Sequence, residues 1–583
     1  MSLDEHTAVL STTHREQTVQ RMRSTAYDIV VIGGGVTGAG AALDAASRGL
    51  KVALIEKRDW AAGTSSRSGK LIHGGLRYLE QRNFGLVREA LRERQLMLEE
   101  LCPHLTRPIQ FIYPLQHRFW ERPYVGAGLI LYDTLGGAGA VPRHRHVTRS
   151  GISRLAPAIN TSTVAGGMTF YDVQMDDARH TVELVRTAVA EGVDAASALS
   201  VIDVVKDGGR VVGVRVADLE SGLEFDVAAR HVVNATGPWA GVVQDLAGGK
   251  SSFDVQASKG VHILVPRERI DSTVSMFVRA EDSVLFVRTW GRHWLIGTTD
   301  TPWDGKLDHP TATSEDIEYL LRNVNRVLRT ALTRDDIDGV FAGLRPLVKG
   351  KPGATSKMSR EHAVETVVPG FTTIVGGKYT TYRVMAEDVI DAAVSDLGPG
   401  GTVAGPSRTK SLPLLGARGL QARRPAIMDR AARLGLVSAD AEHLLGRYGT
   451  LTDEVLDLIE ADASLAEPLI DSGGYLRAEA HYAASHEGAL HIADVMTRRL
   501  HTSILTPDRG GGSVQQVADV IGPVLGWSED TKAAEVEQYR ARIEAEVRAE
   551  QLASDDLASQ ARNVAPDPRV QRDAALAERR SDR

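Results

Sequence analysis

Residues 27–57 read YDIVVIGGGVTGAGAALDAASRGLKVALIEK, a strand, a glycine turn, a helix and a second strand in one unbroken unit. The apolar run 29–32 suits a strand buried on both faces. The turn carries Gly33, Gly35 and Gly38 in G-x-G-x-x-G spacing. The first glycine permits the tight turn, the second lets backbone approach a pyrophosphate, and the third lets helix and strand touch. The alanine-rich stretch 39–48 supplies a helix whose N-terminus faces the anion, and Gly49 stops it. Glu56 ends the second strand 18 positions after Gly38, where a carboxylate can accept both ribose hydroxyls of an adenosine. This unit predicts dinucleotide binding. A ribose-binding glutamate does not separate FAD from NAD. Only one complete fingerprint is present, so the electron source is expected to be the substrate and not a second dinucleotide.

Outward from this unit, the 583 residues predict several domains. Hydrophobic residues at 43% and charged residues at 25% exclude global disorder. Lysine and arginine total 68 against 75 acids, so no basic excess points to nucleic acid and any anion site must be local. The lone Cys102 excludes an intramolecular disulfide and cysteine-based metal sites, and it fits a reducing compartment. No His-Glu-x-x-His, Gly-x-Ser-x-Gly or EF-hand pattern occurs, so no metal is expected. Residues 1–26 lack an apolar h-region and read as a flexible tail. No charge-free apolar run of about 18 residues exists. The nearest, 124–141, is interrupted by Asp133 and glycines, and reads as buried helix plus turn.

Strand-like segments recur at 211–216, 231–233 and 371–375, the last before a helical run at 382–394. The dinucleotide domain is therefore expected to be discontinuous, at 27–105, 173–250 and 336–398. Aromatic and basic segments between its pieces, 106–172 and 251–335, are assigned to a substrate domain. Past a Gly/Pro/Ser-rich linker, 410–550 reads as a helical domain, and the charged 551–583 as a mobile tail.

Residues 63–70, GTSSRSGK, imitate a phosphate-binding P-loop, but five residues separate the glycines and Leu71 replaces the magnesium-binding hydroxyl. His73, Arg77 and Tyr78 follow on one glycine-bearing turn. Arg345, Arg360 and Lys378 sit beside glycines or serines in segments after expected strands. In an acidic protein such clustered cations suit a small anionic substrate. Solvated surface charge is the competing reading.

VIGGGVTGAG at 31–40, GTSSRSGKLIHGGLRYLE at 63–80, VNATGPW at 233–239, IGTTDTPW at 296–303, FAGLRPLV at 341–348 and VGGKYTTYR at 375–383 together resemble the FAD-dependent glycerol-3-phosphate dehydrogenases. HEGALHIADVMTRRL at 486–500 is similar to a motif of that family's helical domain. The resemblance implies an α/β fold: a glutathione-reductase-like FAD-binding Rossmann domain, an antiparallel-sheet substrate domain and a C-terminal α-helical domain. It implies oxidation of sn-glycerol 3-phosphate to dihydroxyacetone phosphate, with hydride transfer to FAD. Carried over by position, Arg77, Arg345, Arg360 and Lys378 bind phosphate and polarise the hydroxyl, while His73, Tyr78 and Thr298 line the reacting end. Of these, His73, Arg77, Arg345 and Lys378 form the expected catalytic set, with His73 as general base. Gly33, Gly35, Gly38, Glu56, Thr64, Ser65, Gly74, Gly237, Gly377 and Thr380 are the expected FAD contacts. Arg67 and Gly69 depart from the smaller or polar residues expected there.

The family divides by electron acceptor. No insertion is evident between Arg360 and Lys378, which favours a quinone over oxygen. The alternative is an oxidase that forms hydrogen peroxide. The expected setting is the cytoplasm, peripheral on the cytoplasmic face of the membrane, as a homo-oligomer. Phe119, Trp120, Tyr124 and 129–131, with Arg118 and Arg122, suit either lipid contact or a core helix.

Overall fold

The computed structural model describes residues 8–80, 83–117, 119–136, 141–249, 251–281, 284–348, 362–397 and 402–581. Two sheets and a helical domain make up the fold. The first sheet runs His362–Val368, Phe371–Gly376, Glu224–Asn234, Ala26–Ile32, Val52–Ile55, Asp194–Ala196. Ala26–Ile32 pairs in parallel with both Glu224–Asn234 and Val52–Ile55. These strands are nearly continuous runs of Val, Ile and Ala because helices must cover a parallel sheet. Gly40 in the helix Val36–Ser47 lets Tyr382 of the helix Tyr382–Leu397 approach, where a methyl would lie 3.0 Å from its ring.

The second sheet is mainly antiparallel and contains Thr106–Leu115, Gly166–Met175, Val255–Pro266, Ser275–Arg279, Val284–Trp290 and His293–Gly297. It also contains Leu71–Ile72 and Gly339–Val348, which the sequence reading placed in the dinucleotide domain, and all of Gly166–Met175, which that reading split. Apolar strands of either sheet look alike. The partner decides, and Gly339–Val348 pairs along its whole length with Val255–Pro266.

The described parts of both expected tails, residues 8–26 and 551–581, are structured. Ser11 caps the helix Thr12–Ser24, which buries Thr18, Val19 and Met22 and sends Arg15 to Asp218 at 2.6 Å. Residues 555–581 form the helices Asp555–Arg562 and Pro568–Ser581. Between them and the helical domain, fully buried Arg569 binds Asp494 at 2.6 Å. Charge-rich composition signalled disorder, but these segments dock through ion pairs with buried acids. The helix Glu121–Leu135 buries Val125, Leu129 and Tyr132, while Phe119, Trp120, Tyr124 and Ile130 are exposed. Leu129 is therefore a core residue and not a lipid contact. Arg118 lies outside the described residues. No described helix is long and apolar enough to cross a membrane.

The helical domain joins the body through the segment 486–500. Arg499 grips Asp59 with two hydrogen bonds of 2.8 Å, Arg498 donates to the same carboxylate, and Glu487 takes both Nη groups of Arg179. Asp59, Arg179, Glu487 and Arg499 are all buried. Removing one member of such a set strands the opposite charge without water. Asp59→Ala is expected to lower the unfolding free energy by about 3–5 kcal/mol in urea denaturation. Asp391→Ala, which removes the exposed partner of Arg48, is expected to cost no more than about 1 kcal/mol.

Candidate active site

A cavity of about 530 Å³ lies between the two sheets. At one end the glycine turn forms its floor. Gly33 has φ +111°, and a Cβ there would lie 2.7 Å from the Ala235 carbonyl oxygen. Gly38 is pressed against the Gly33 carbonyl, the close helix–strand contact its position predicts. Glu56 lines the cavity with its carboxylate fixed by the N–H groups of Gly34 (2.7 Å) and Arg58 (2.8 Å). Ser65 Oγ accepts the Val36 N–H at the helix N-terminus, and Thr64 donates to the Leu344 carbonyl at 2.6 Å. The segment 64–65 thus ties the anion-facing helix to the second sheet. Gly237 and Gly377, both at positive φ, line the opposite wall.

Two expected cofactor contacts stand behind the wall. At Gly74 a side chain would collide with Leu91 and come within 2.8 Å of Tyr132 Oη. The Gly74 N–H donates to Tyr132, whose hydroxyl binds Asp172, itself paired with Arg94. Thr380 is buried and accepts the His73 N–H (3.1 Å) while donating to the His73 carbonyl (3.2 Å). Both residues hold the His73 loop in place.

The same cavity is lined by His73, Tyr78, Thr298, Arg345 and Lys378. Lys378 Nζ sits 3.9 Å from the Tyr78 ring centroid, a cation–π contact. Gly75, at φ +80°, makes room for the Tyr78 ring. Arg345 faces Ser258 across the sheet and donates to Thr298 Oγ1 at 3.0 Å and the Thr299 carbonyl at 3.2 Å. Its guanidinium lies over Gly260, where a methyl would overlap Nη2. Asp300, which also accepts from Ser258, is 3.5 Å from Arg345 Nη1. Arg77 opens the short helix Arg77–Glu80. Arg360 lies outside the described residues.

Sequence reading missed His262, Phe286 and Arg288, which line the same cavity. Arg288 is buried, Nε and Nη2 have no hydrogen-bond partner, and no carboxylate lies within ion-pair distance among the described residues. Burial pulls its guanidinium down to about 9, against a weak opposing pull from Asp177. His262 stacks on Phe341 at 4.8 Å; burial, then Arg288, Arg345 and Lys70, hold it well below the usual imidazole range, so it is neutral. The signal for Arg288 was present. It shares a face with Phe286 in an otherwise apolar strand, and an inward arginine needs a reason. Lys70, by contrast, is fully paired with Asp177 at 2.5 Å.

A family model described as FAD dependent oxidoreductase matches residues 28–383, and one described as the C-terminal domain of alpha-glycerophosphate oxidase matches 407–532. Over 564 residues the chain is 50% identical to a Mycobacterium tuberculosis protein named glycerol-3-phosphate dehydrogenase 2, covering 97% of this chain and 96% of that one. The chain belongs to the FAD-dependent glycerol-3-phosphate dehydrogenases. A mitochondrial glycerol-3-phosphate dehydrogenase of Bos taurus is 34% identical over 90% of this chain and 74% of its own. The solved structure of the Bacillus halodurans glycerol-3-phosphate dehydrogenase complexed with FAD superposes with a TM-score of 0.76 at 27% identity, covering 92% of this chain and 98% of that one. FAD is the cofactor, and the cavity suits it: a backbone turn that no side chain could occupy, a helix N-terminus and a fixed carboxylate stand at one end.

In this dehydrogenase the guanidinium of Arg345 is the flexible end of a long side chain, so Gly260→Ala would shift it without unfolding the sheet. The variant is expected to retain FAD and lose roughly 10- to 100-fold in kcat/KM for glycerol 3-phosphate, about 1.4–2.7 kcal/mol, read by steady-state kinetics alongside flavin absorbance.

Proposed function

We propose that the chain oxidises sn-glycerol 3-phosphate to dihydroxyacetone phosphate and passes the electrons to a membrane quinone. The observation that carries the substrate half is that Arg345, Lys378 and His73 line the same cavity as the glycine turn and Glu56. In this reading Arg345 and Lys378, with Arg77 and Arg360, hold the phosphate and polarise the C2 hydroxyl. Tyr78 and Thr298 orient the carbon chain. Gly33, Gly35, Glu56, Thr64, Ser65, Gly237 and Gly377 hold the FAD. When bound, FAD accepts the hydride from C2. The chain's own task is to take the hydroxyl proton, and in this reading His73, which lines the cavity, takes it. Phe286, 6.3 Å from the His73 ring, covers the apolar side and limits water.

Anaerobic addition of glycerol 3-phosphate is expected to bleach the flavin absorbance, with glycerol and lactate inert; an unbleached flavin would overturn the substrate assignment. His73→Asn is expected to slow this half-reaction at least ~100-fold and flatten its pH profile. An unchanged rate would move the base elsewhere.

Support for the quinone half comes from the exposed cluster Phe119, Trp120, Tyr124 and Ile130. Large apolar side chains gathered beside Arg122 suit a lipid interface on the cytoplasmic face. One aromatic layer, Phe111, Phe170 and Phe277, separates that helix from Phe286. The holoprotein is expected to float with anionic vesicles, and the double variant Phe119→Glu, Trp120→Glu to stay behind. Stoichiometric hydrogen peroxide with no quinone reduction would favour the oxidase alternative.

A further inference from the structure

We propose that the joint between the helical domain and the body holds a second anion site, for a small tetrahedral oxyanion, built by Arg67, Arg542 and Arg562. A cavity of about 70 Å³ lies there, several times the ~10–15 Å³ that one water requires. A smaller neighbour of about 30 Å³ shares Arg67, His309, Arg498, Arg542 and Arg562 in its wall. Neither wall includes Arg345 or Lys378, so this is not the substrate site.

The charges around these cavities do not cancel. Arg498 is taken by Asp59 and Asp494. Arg542 and Arg562 direct Nε to the same oxygen of Glu546, at 2.9 and 3.3 Å. Arg67 has no carboxylate within 4 Å among the described residues, and its acceptor is the Ala342 carbonyl at 3.1 Å. Arg58, in the smaller wall, donates to the backbone oxygens of Asp308 and Ala62. The remaining acids are engaged elsewhere: Glu550 with Arg509, Asp567 with Arg569 and Glu535 with His491. Among the described residues, Glu546 is the one carboxylate within ion-pair distance of Arg542 and Arg562. Asp567, bonded to Arg569, also pulls on Arg58, Arg542 and Arg562 from farther off, so four guanidiniums face two carboxylates of which one is already paired. The Nη groups of Arg542 have no acceptor among the described residues.

Neutral donors complete the shell. Thr311 lines the larger cavity with a buried hydroxyl that lacks a partner. His309 Nε2 accepts the Asp567 N–H at 3.1 Å, which leaves the hydrogen on Nδ1. Burial, then Arg562 and Arg58, hold His309 well below the usual imidazole range and keep it neutral. Burial followed by Arg542 presses Arg67 down to about 9, and burial presses Arg562 down to about 10 despite Glu546. Guanidiniums keep their protons at neutral pH, so an anion is what relieves this repulsion. Arg67 lines the FAD cavity as well as this one, so a bound oxyanion would bridge the wall between them to the helices Glu529–Ala549 and Asp555–Arg562.

Phosphate could come as the free ion or as the phosphoryl end of glycerol 3-phosphate, and thermal unfolding of the anaerobic holoenzyme distinguishes them. In a dilute phosphate-free buffer, inorganic phosphate is expected to raise Tm saturably by at least ~2 °C in the wild type and in Lys378→Met. Chloride at equal ionic strength is expected to do nothing, and Arg542→Gln to lose most of the rise while keeping its KM for glycerol 3-phosphate. A response to glycerol 3-phosphate in Lys378→Met that the double variant Lys378→Met, Arg542→Gln lacks would assign the phosphoryl end; a response to inorganic phosphate alone would assign the free ion. An equal effect of chloride, a rise abolished by Lys378→Met, or a wild-type response in Arg542→Gln would overturn the proposal. Should Arg542→Gln fail to fold, wild-type crystals soaked in tungstate decide: an anomalous peak between Arg67 and Arg542 supports the site, and its absence overturns it.

Discussion

The buried carboxylate of Asp59 is the contact on which the three parts of this molecule depend. It stands three residues past Glu56, just beyond the strand Val52–Ile55, and it receives Arg498 and Arg499 from the helical domain. Next to it, Trp60 is almost fully buried and packs against Gly34 of the glycine turn on one side and Gly488 on the other. Cofactor turn, tryptophan and helical domain therefore form one packed column. Ions taken from water need partners of fixed geometry, and the doubly gripped Asp59 and the forked Arg179–Glu487 pair meet that condition together.

The buried cations of this protein fall into two populations. Lys70, Arg94, Arg179 and Arg383 each have a carboxylate within hydrogen-bond distance, and each holds one element against another. Buried Arg288 and half-buried Arg67 have no such partner among the described residues and face cavities. In a low-dielectric interior a charge without a local counterion marks where a ligand's charge belongs. That distinction reconciles a net charge of −7 with anion recognition, because the acids that dominate the count are spent inside structural pairs.

What was legible in the sequence was local. The glycine turn, its flanking strands, Glu56 and the His73 loop are each written within a few dozen residues, and the cavity forms from them as their spacing implies. Partition of strands between sheets was not legible, because Gly339–Val348 carries the same apolar pattern whichever sheet it joins and only its pairing with Val255–Pro266 decides. The terminal helices were missed because they are held by ion pairs such as Arg569–Asp494, whose partners lie far away in the chain. Gly74 and Thr380 are expected cofactor contacts by motif, and in the structure they brace the His73 loop. Their motif neighbours made them look like first contacts, and nothing in one dimension separates a wall from the stones behind it.

Thr380 binds both backbone groups of His73 across 307 residues, and Asp59 waits 440 positions for Arg499. At roughly 5–20 residues per second of synthesis, Asp59 leaves the ribosome about 20 to 90 s before its arginines exist. Throughout that interval it is an ordinary solvated acid at the edge of an unfinished sheet. Bracing of the His73 loop waits for Thr380 and closure of the joint for Arg499, and because Asp573 and Arg580 also line the cavity, its wall is complete only when nearly all of this chain has been made.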